Sequence, residues 1–580
     1  MKRLLIILAL CCPVWATTYY MRADGTAANA AAATSCSAAS TAMNVTTHNA
    51  ASFSPGDVIT LCDSGGVFRD AILTFPSSGS SGSLITYNTS GGPVVSAANL
   101  ATGWVDAGFG NNTWSTTVSV APNAVSANAA WKQKGASATG LTEGQWFNSG
   151  TTLYYNQAAG NPDTQGTVIE SSSRNYAIDF NGQNYLALQN IAVDGAQIDG
   201  MYFSAASHDM SISSCNASRN TRMGIHAATG YTTYNITVDS CTVSWNGASG
   251  IRINKGPHDW EISRNNVFRN CQIQNTASDY TAYCAGIRVL EYWTDSSSTL
   301  YNIVTERNNV YDNGKFVDGT YFVQSGSNIG GLGIWYDVVD DVTGGNVIRY
   351  NNVYGNSYVQ MQLEHNQNVG AIYNVIHDSA PSTTGLWVSD YSHTSTRYNR
   401  NNLIYGNTIY GSTWYGIRMS GASDSTANSC TGNVLKNNIS TGNTLNTFFT
   451  EYGCQNDGTV GSGNVYLYNA FGTAATNFIS WGGTNISTYA AFDTAYASTT
   501  HSVAGDPTFT NSAGGNFTLQ SSSPAINTGM NLGGTYVQGL NPVSSWPSSV
   551  KLLPQSQNSA GWDIGAYIFP KRCMACEKSQ

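Results

Sequence analysis

Charge is what this chain has least of. Only 10% of its 580 residues are Asp, Glu, Lys or Arg, so the charged faces of long surface helices cannot be built and very little helix is expected. What charge there is sums to −9, with 34 acids against 25 bases, which argues against nucleic-acid binding. No glycine-rich phosphate loop precedes a helical pattern, no Cys-x-x-Cys pair meets a second one at zinc spacing, and no Gly-x-Ser-x-Gly elbow occurs. After residue 16 no apolar run is long enough to span a membrane. Abundant instead are Gly (59), Tyr (33), Asn, Ser and Thr, the composition of turn-rich β structure.

One phrase returns from Gly224 to Ser420: small residue, aliphatic, outward residue, aliphatic. It reads Gly224-Ile225-His226-Ala227, Gly250-Ile251-Arg252-Ile253, Gly286-Ile287-Arg288-Val289, Gly333-Ile334-Trp335-Tyr336, Met361-Gln362-Leu363, Gly385-Leu386-Trp387-Val388 and Gly416-Ile417-Arg418-Met419. Such alternation marks a strand with one buried face. Its return every 25 to 47 residues predicts one strand per turn of a solenoid with loops of variable length. Ile225, Ile251, Ile287, Ile334, Met361, Leu386 and Ile417 should then form one buried stack. A second phrase, aliphatic followed by Asn or Cys and closing on Asn, answers the first: Ile212 to Asn220, Val238 to Asn246, Ile262 to Asn270, Val304 to Asn313, Ile348 to Asn356 and Val434 to Asn443. Asn tolerates left-handed backbone angles and bonds its equal one turn above, so an inward Asn at each corner predicts a ladder.

The first 16 residues carry Lys2 and Arg3, an apolar run from Leu4 to Leu10 and a Val14-Trp15-Ala16 end, the pattern of a secretory signal peptide. The protein is expected to be exported, and the ten cysteines that follow are even in number, as an oxidising compartment allows. Their order suggests Cys36 with Cys62, Cys215 with Cys241, Cys271 with Cys284, Cys430 with Cys454 and Cys573 with Cys576. Cys215 and Cys241 also hold the slot that Asn holds in later turns, about 4.8 Å apart if stacked. Residues 17–160 read as an N-terminal capping β region, 161–500 as the coils and 501–580 as a closing segment.

A Pro55-Gly56-Asp57 turn, the stretch Gly65-Gly66-Val67-Phe68-Arg69 and the strand Gly82-Ser83-Leu84-Ile85-Thr86-Tyr87 resemble the first turns of secreted right-handed parallel β-helix proteins of the pectate-lyase-like superfamily. Gly505-Asp506-Pro507-Thr508-Phe509, Asn516-Phe517-Thr518-Leu519, Ser523-Pro524-Ala525-Ile526-Asn527 and Asp563-Ile564-Gly565-Ala566-Tyr567 are similar to the closing segment of that group. The resemblance implies an all-β, right-handed parallel β-helix with capping strands. It implies polysaccharide lyase or glycoside hydrolase activity without naming the chemistry, because its Asp residues cap turns.

Alternation sends His226, Arg252, Arg288, Trp335, Gln362, Trp387 and Arg418 outward in one column. Trp stacks on sugar rings and Arg clamps carboxylates, so His226, Arg252, Trp335, Trp387 and Arg418 are expected to bind an extended acidic polysaccharide; a loop folded over the column is the alternative. One step further sit Asn254, Asp337, Glu364 and Ser389, then Lys255, Glu291, His365 and Asp390. Asp337 and Glu364 fall in one slot of adjacent coils, roughly 5 Å apart, with Asp390 a coil beyond.

Three functions follow. In the first, Asp337, Glu364 and Asp390, with Asp340 and Asp341, hold Ca²⁺, and Lys255, Arg252 or Arg288 abstracts the proton beside a uronate, giving β-elimination; the resemblance carries this version, without a residue-by-residue match. In the second, Asp337 with Glu364, or Asp337 with Asp390, is the carboxyl pair of a hydrolase tuned by His365 or His393. In the third the protein binds glycan without cleaving it. The chain is expected to act as a monomer.

Overall fold

The structure, a computed structural model, describes residues 16–273, 283–291, 300–322, 329–339, 344–378, 384–389, 399–420, 430–456, 461–557 and 561–570. The repeating phrases become rungs of a solenoid with three faces. A back sheet of 13 strands runs from Thr18–Met21 to Val465–Leu467. A front sheet of 13 runs from Leu73–Thr74 to Thr484–Ile486, and a third sheet of ten runs from Val94–Ser96 to Ile439–Thr441. Within the stack the strands pair in parallel, in register, with the rung before and after. Stacked parallel strands buried on one face by their own interior are the only arrangement in which every turn satisfies its neighbour's backbone while the side chains alternate in and out.

The predicted aliphatic stack forms: Ile225, Ile251, Ile287, Ile334, Met361, Leu386 and Ile417 are all fully buried in one continuous core. The glycine opening each phrase has a steric cause. A Cβ on Gly250 would meet Asn270 Nδ2 and the Gly286 carbonyl oxygen at 2.7 Å each, because the ladder passes directly behind the start of the front strand. The exception, Gln360 before Met361, is explained by the same contact. Its Oε1 accepts from Asn356 Nδ2 at 2.8 Å and completes the ladder that a further Asn would have continued.

Two long amide ladders hold the corners among the described residues, with a shorter one through Asn402, Asn433 and Asn464. One runs Asn265, Asn308, Asn351, Asn374, Asn407, Asn438, Asn469, each Nδ2 donating to the next Oδ1 at 2.9 to 3.0 Å. The other runs Asn220, Asn246, Asn270, Asn313, Asn356. Each amide is used fully. Asn351 Nδ2 donates also to the Thr305 carbonyl oxygen at 2.9 Å, and its Oδ1 accepts the Asn308 backbone N–H at 2.9 Å. The left-handed angle falls not on the ladder Asn, as the sequence suggests, but on the residue before it: Arg264, Arg307, Tyr350 and Tyr373 have φ of 54°, 58°, 58° and 52°. That residue makes the corner, which turns the following amide inward. Each such residue costs about 1–2 kcal/mol, and the bonded amides offset it.

Strands of the 17–160 segment, Thr18–Met21, Val58–Cys62 and Ile85–Ser90, are themselves parallel rungs of the back sheet. Between Val94–Ser96 and Tyr176–Asp179 the chain leaves the stack to form two four-stranded antiparallel sheets around Trp104, Trp146, Leu153 and Tyr155. The first rungs pack on the short helix Val45–Asn49, the last on the helix Tyr489–Ala495, whose Phe492 is buried against Phe448 and Trp481. The segment after 505 therefore does not close the far end. It runs back along the flank, where Tyr350 Oη donates to the Gln538 carbonyl oxygen at 3.0 Å, Tyr373 Oη to that of Tyr536 at 2.8 Å, and Asn437 Nδ2 to that of Met530 at 2.7 Å.

Disulfides join Cys36 to Cys62, Cys271 to Cys284 and Cys430 to Cys454. Cys215 and Cys241 are free thiols, contrary to the expected pairing. They occupy the predicted slot in hydrogen-bond contact with each other, and each also meets a main-chain oxygen, Cys215 that of Ser213 and Cys241 that of Asp239, at 3.4 Å. Cys573 and Cys576, like residues 1–15, lie outside the described residues. Among the described residues no helix is long and apolar enough to cross a membrane.

Two measurements follow. Asn351→Leu should strand the Thr305 carbonyl, the Asn308 N–H and two neighbouring amides, lowering unfolding free energy by about 3 kcal/mol in urea; an unchanged midpoint would show the ladder to be idle. His48 is fully buried between Phe53 and Tyr87. Burial pushes its ring down to about 4, against the bond with Asn49. The folded state thus binds its proton less tightly than the unfolded state, so this contribution is whole above pH 6.5 and is lost as pH falls to 4, up to about 3 kcal/mol. His48→Gln should flatten the stability profile in that window only.

Candidate active site

The outward column forms in the predicted register: His226 pairs Arg252, Arg252 pairs Arg288, and Trp335, Gln362, Trp387 and Arg418 follow on successive rungs of the front sheet. The next slot brings Asn254, Leu290, Asp337, Glu364 and Ser389 into line, so Asp337 and Glu364 are neighbours on adjacent rungs. Exposure differs from the expectation of an open groove. His226, Arg252, Arg288, Trp335, Gln362, Trp387 and Asp337 are all buried, and Glu364 keeps 9% of its surface. The column is a polar layer laid over the outside of the sheet, and burying charges there requires that they pair.

They pair in three groups. Near the first coils Asp199 accepts from Arg222 Nη2 at 2.9 Å, from the Met223 N–H at 3.1 Å and bonds His226 Nδ1 at 2.8 Å. His226 Nε2 faces Asn254 Nδ2 at 2.9 Å, and Asn254 Oδ1 accepts from Arg252 Nε at 2.8 Å. Burial pushes Asp199 up, but His226 and Arg222 outweigh it and hold the carboxyl at about 2. Burial pushes the His226 ring down, against the pull of Asp199, so a neutral imidazole bridges the carboxylate to Asn254.

In the middle, Arg288 Nη2 donates to Asp337 Oδ2 at 2.6 Å and Nη1 to the Tyr283 carbonyl oxygen at 2.5 Å, with the guanidinium 4.0 Å over the Trp335 ring. Burial raises the Asp337 carboxyl, and Arg288 only partly reverses this. Glu364 Oε2 accepts from Gln362 Nε2 at 3.1 Å, and the same amide donates to Ser389 Oγ at 2.9 Å. His365 Nδ1 lies 4.0 Å from Glu364 Oε1. At the far end Arg418 Nη2 donates to Glu451 Oε1 at 2.7 Å and lies 4.2 Å over Trp387, whose Nε1 donates to Ser420 Oγ at 2.5 Å.

The two tryptophans expected to stack on sugar thus stack on arginine, and Arg288, expected as a base, and Arg418, expected to clamp uronates, hold carboxylates of the protein itself. Lys255 follows the strand Ile251–Asn254, half-buried, and Glu291 is fully buried behind Leu290. Asp390, Asp340, Asp341 and His393 lie outside the described residues. Among the described residues no three His, Cys, Asp or Glu side chains are grouped to hold a metal ion. Asp337 Oδ2 is bonded by Arg288, and three of the ligands expected to hold calcium, Asp340, Asp341 and Asp390, lie outside the described residues. Sequence reasoning missed Asp199 and Glu451. Asp199 was within reach, since Asp199-Gly200-Met201-Tyr202-Phe203 is one more instance of the phrase.

The pairing separates the two central carboxyls. Asp337→Asn removes the carboxyl that the buried Arg288 bonds, at about 1–3 kcal/mol, whereas Glu364→Gln leaves that bond intact. Melting of both variants should show Asp337→Asn lowered and Glu364→Gln equal to or above the wild type; the reverse order would mean the Arg288 bond does not carry Asp337.

No family model matches the chain, and no curated protein sequence matches it. Solved structures do. XylC, solved in complex with xylose, superposes with a TM-score of 0.52 at 12% identity over 78% of this chain and 83% of that one. Pectate lyase Pel9A gives 0.45 at 14% over 96% of each chain, and the A-module of the Azotobacter vinelandii mannuronan C-5 epimerase AlgE4 gives 0.36 at 15% over 67% and 87%. At 12% identity the XylC likeness reaches the architecture alone, which agrees with the three parallel sheets: the chain folds as a right-handed parallel β-helix.

Proposed function

We propose that the protein is a carbohydrate-active enzyme that hydrolyses a glycosidic bond with Asp337 and Glu364. The observation that carries this reading is their place in one slot of adjacent rungs, where in-register stacking sets them about 5 Å apart, the separation of a retaining carboxyl pair. Two buried acids so placed cannot both ionise readily. Asp337, raised by burial, is the acid that gives its proton to the glycosidic oxygen, and Arg288 stabilises the carboxylate left behind. Glu364, which accepts from the Gln362 amide, attacks the anomeric carbon and forms a glycosyl ester. Water then enters, Asp337 takes its proton, and the ester is released as free sugar, so one water is consumed per bond broken. XylC, the structure neighbour with the higher TM-score, was solved with xylose, which supports a sugar ligand for the fold.

Elimination is served less well. It asks Arg288 for a proton vacancy, yet Arg288 donates to Asp337, an acid that this reading also needs for calcium. Lys255 and Arg252 would remain as bases.

Incubation with a panel of neutral and uronate polysaccharides should therefore release reducing ends without unsaturated, ultraviolet-absorbing products, unchanged by chelator. Asp337→Asn and Glu364→Gln should each cut kcat by about 10³-fold or more. Activity should fall as pH rises through the raised Asp337 value, since the acid is then lost. Unsaturated products, or full activity in either variant, would overturn the reading.

A further inference from the structure

At the far end of the stack, at the corner between the third sheet and the front sheet, lies a cleft of about 840 Å³. Its walls are the segment between the third-sheet strand Ile439–Thr441 and the front-sheet strand Phe448–Thr450, the equivalent segment one rung on before Ile479–Trp481, and the hairpin Phe509–Asn511 with Asn516–Leu519 from the flank. The volume is that of a site for a short oligosaccharide.

The chemistry of the walls is of one kind. Amides and hydroxyls face the space, from Asn446, Asn477, Asn485, Thr444, Thr473 and Thr476, over the aromatic floor of Tyr410, Phe471, Phe478 and Phe509. Among the described residues no Lys, Arg or His lines it, and the one charged residue that does is Asp506. Leu445, on the wall, is 49% exposed, and its N–H bonds the carbonyl oxygen of Trp414 at 2.9 Å; Trp414, 44% exposed, stands one rung back from the cleft, outside its lining. Behind Trp414 the aromatic strip continues through Tyr415 and Phe449, rings 4.4 Å apart, to Arg418 at the end of the outward column. An exposed Trp beside neutral hydrogen-bonding groups is suited to a pyranose, whose apolar face stacks on the ring while its hydroxyls meet amides. A uronate or sulfated sugar would find no cation here and would meet Asp506.

We infer that this cleft is a second glycan site, binding an uncharged segment of a polysaccharide chain on Trp414 and the Asn477 and Asn485 amides. Unlike the two central carboxyls it touches no reacting group, so it acts by holding polymer, and it does not depend on the chemistry proposed for Asp337 and Glu364.

Affinity electrophoresis of the full chain through gels containing xylan, a β-glucan, a mannan or a polyuronate tests this. The wild type should be retarded by at least one neutral polymer. Trp414→Ala should weaken that retardation about 10-fold or more and Asn485→Ala by a smaller factor, with melting temperatures unchanged because both side chains are exposed. Glu364→Gln should keep full retardation even where cleavage is lost, which separates failure of this inference from failure of the catalytic reading. Retardation by no neutral polymer, wild-type binding by both cleft variants, loss of binding in Glu364→Gln, or stronger binding to the polyuronate than to any neutral polymer would each overturn it.

Discussion

The structure depends on the pairing of like with like across successive rungs. Parallel strands in register put each side chain above its counterpart at about 4.8 Å, a spacing that suits aliphatic groups, stacked rings and amides. Buried asparagines exploit it most fully, because an amide carries two donors and two acceptor sites and can bond the amides above and below while also bonding the main chain. The ladder from Asn265 to Asn469 therefore fixes the corner of each turn and with it the register of the sheets on either side. Stacked rings do the same for outer positions: His208, Tyr234, His258 and Tyr301 form a continuous pile with centroids 4.7, 5.0 and 4.5 Å apart.

The same constraint is hostile to charge, since a charged residue repeated at one slot repels its copy. The chain meets this by scarcity and by alternation. On the front sheet Arg288 reaches diagonally to Asp337, Arg418 to Glu451 and Arg222 to Asp199, while Trp335 and Trp387 fill the spaces between cations. The rule is broken at Arg252 above Arg288 and at Asp337 above Glu364, two acids in one slot with an arginine bonded to Asp337. Chemistry is assigned to the acids because one of two neighbouring carboxyls can hold a proton while the other is ionised.

How far the sequence could be read follows from the same physics. Rung register was legible because alternation and spacing are local properties: the isoleucine stack, the outward column and the Asp337–Glu364 neighbours were all placed from the phrases alone. Exposure was not legible. That Trp335 lies on Arg288, or that Asp199 neutralises Arg222, depends on contacts between turns 23 to 47 residues apart, and outward from a sheet does not mean outward to water. The ladder Asn was read correctly as inward, but its left-handed angle belongs to Arg264 or Tyr350 before it, because the corner must be made before the amide can point in. Gln360 looked like a break in the phrase and is the cap of a ladder. The segment after 505 was taken to close the end, because its motifs say that turns form there and nothing about which surface they lie on.

The central claim is that stacking forces Asp337 and Glu364 to share one protonation event. Infrared titration of the carboxyl stretch addresses it directly, comparing the wild type with Asp337→Asn and Glu364→Gln. The account predicts a protonated carboxyl that persists in the wild type above the ordinary carboxylate range, vanishes in Asp337→Asn and titrates at lower pH in Glu364→Gln, where the neighbouring charge is gone. Spectra in which all carboxyls ionise within the ordinary range, identically in the three proteins, would contradict it.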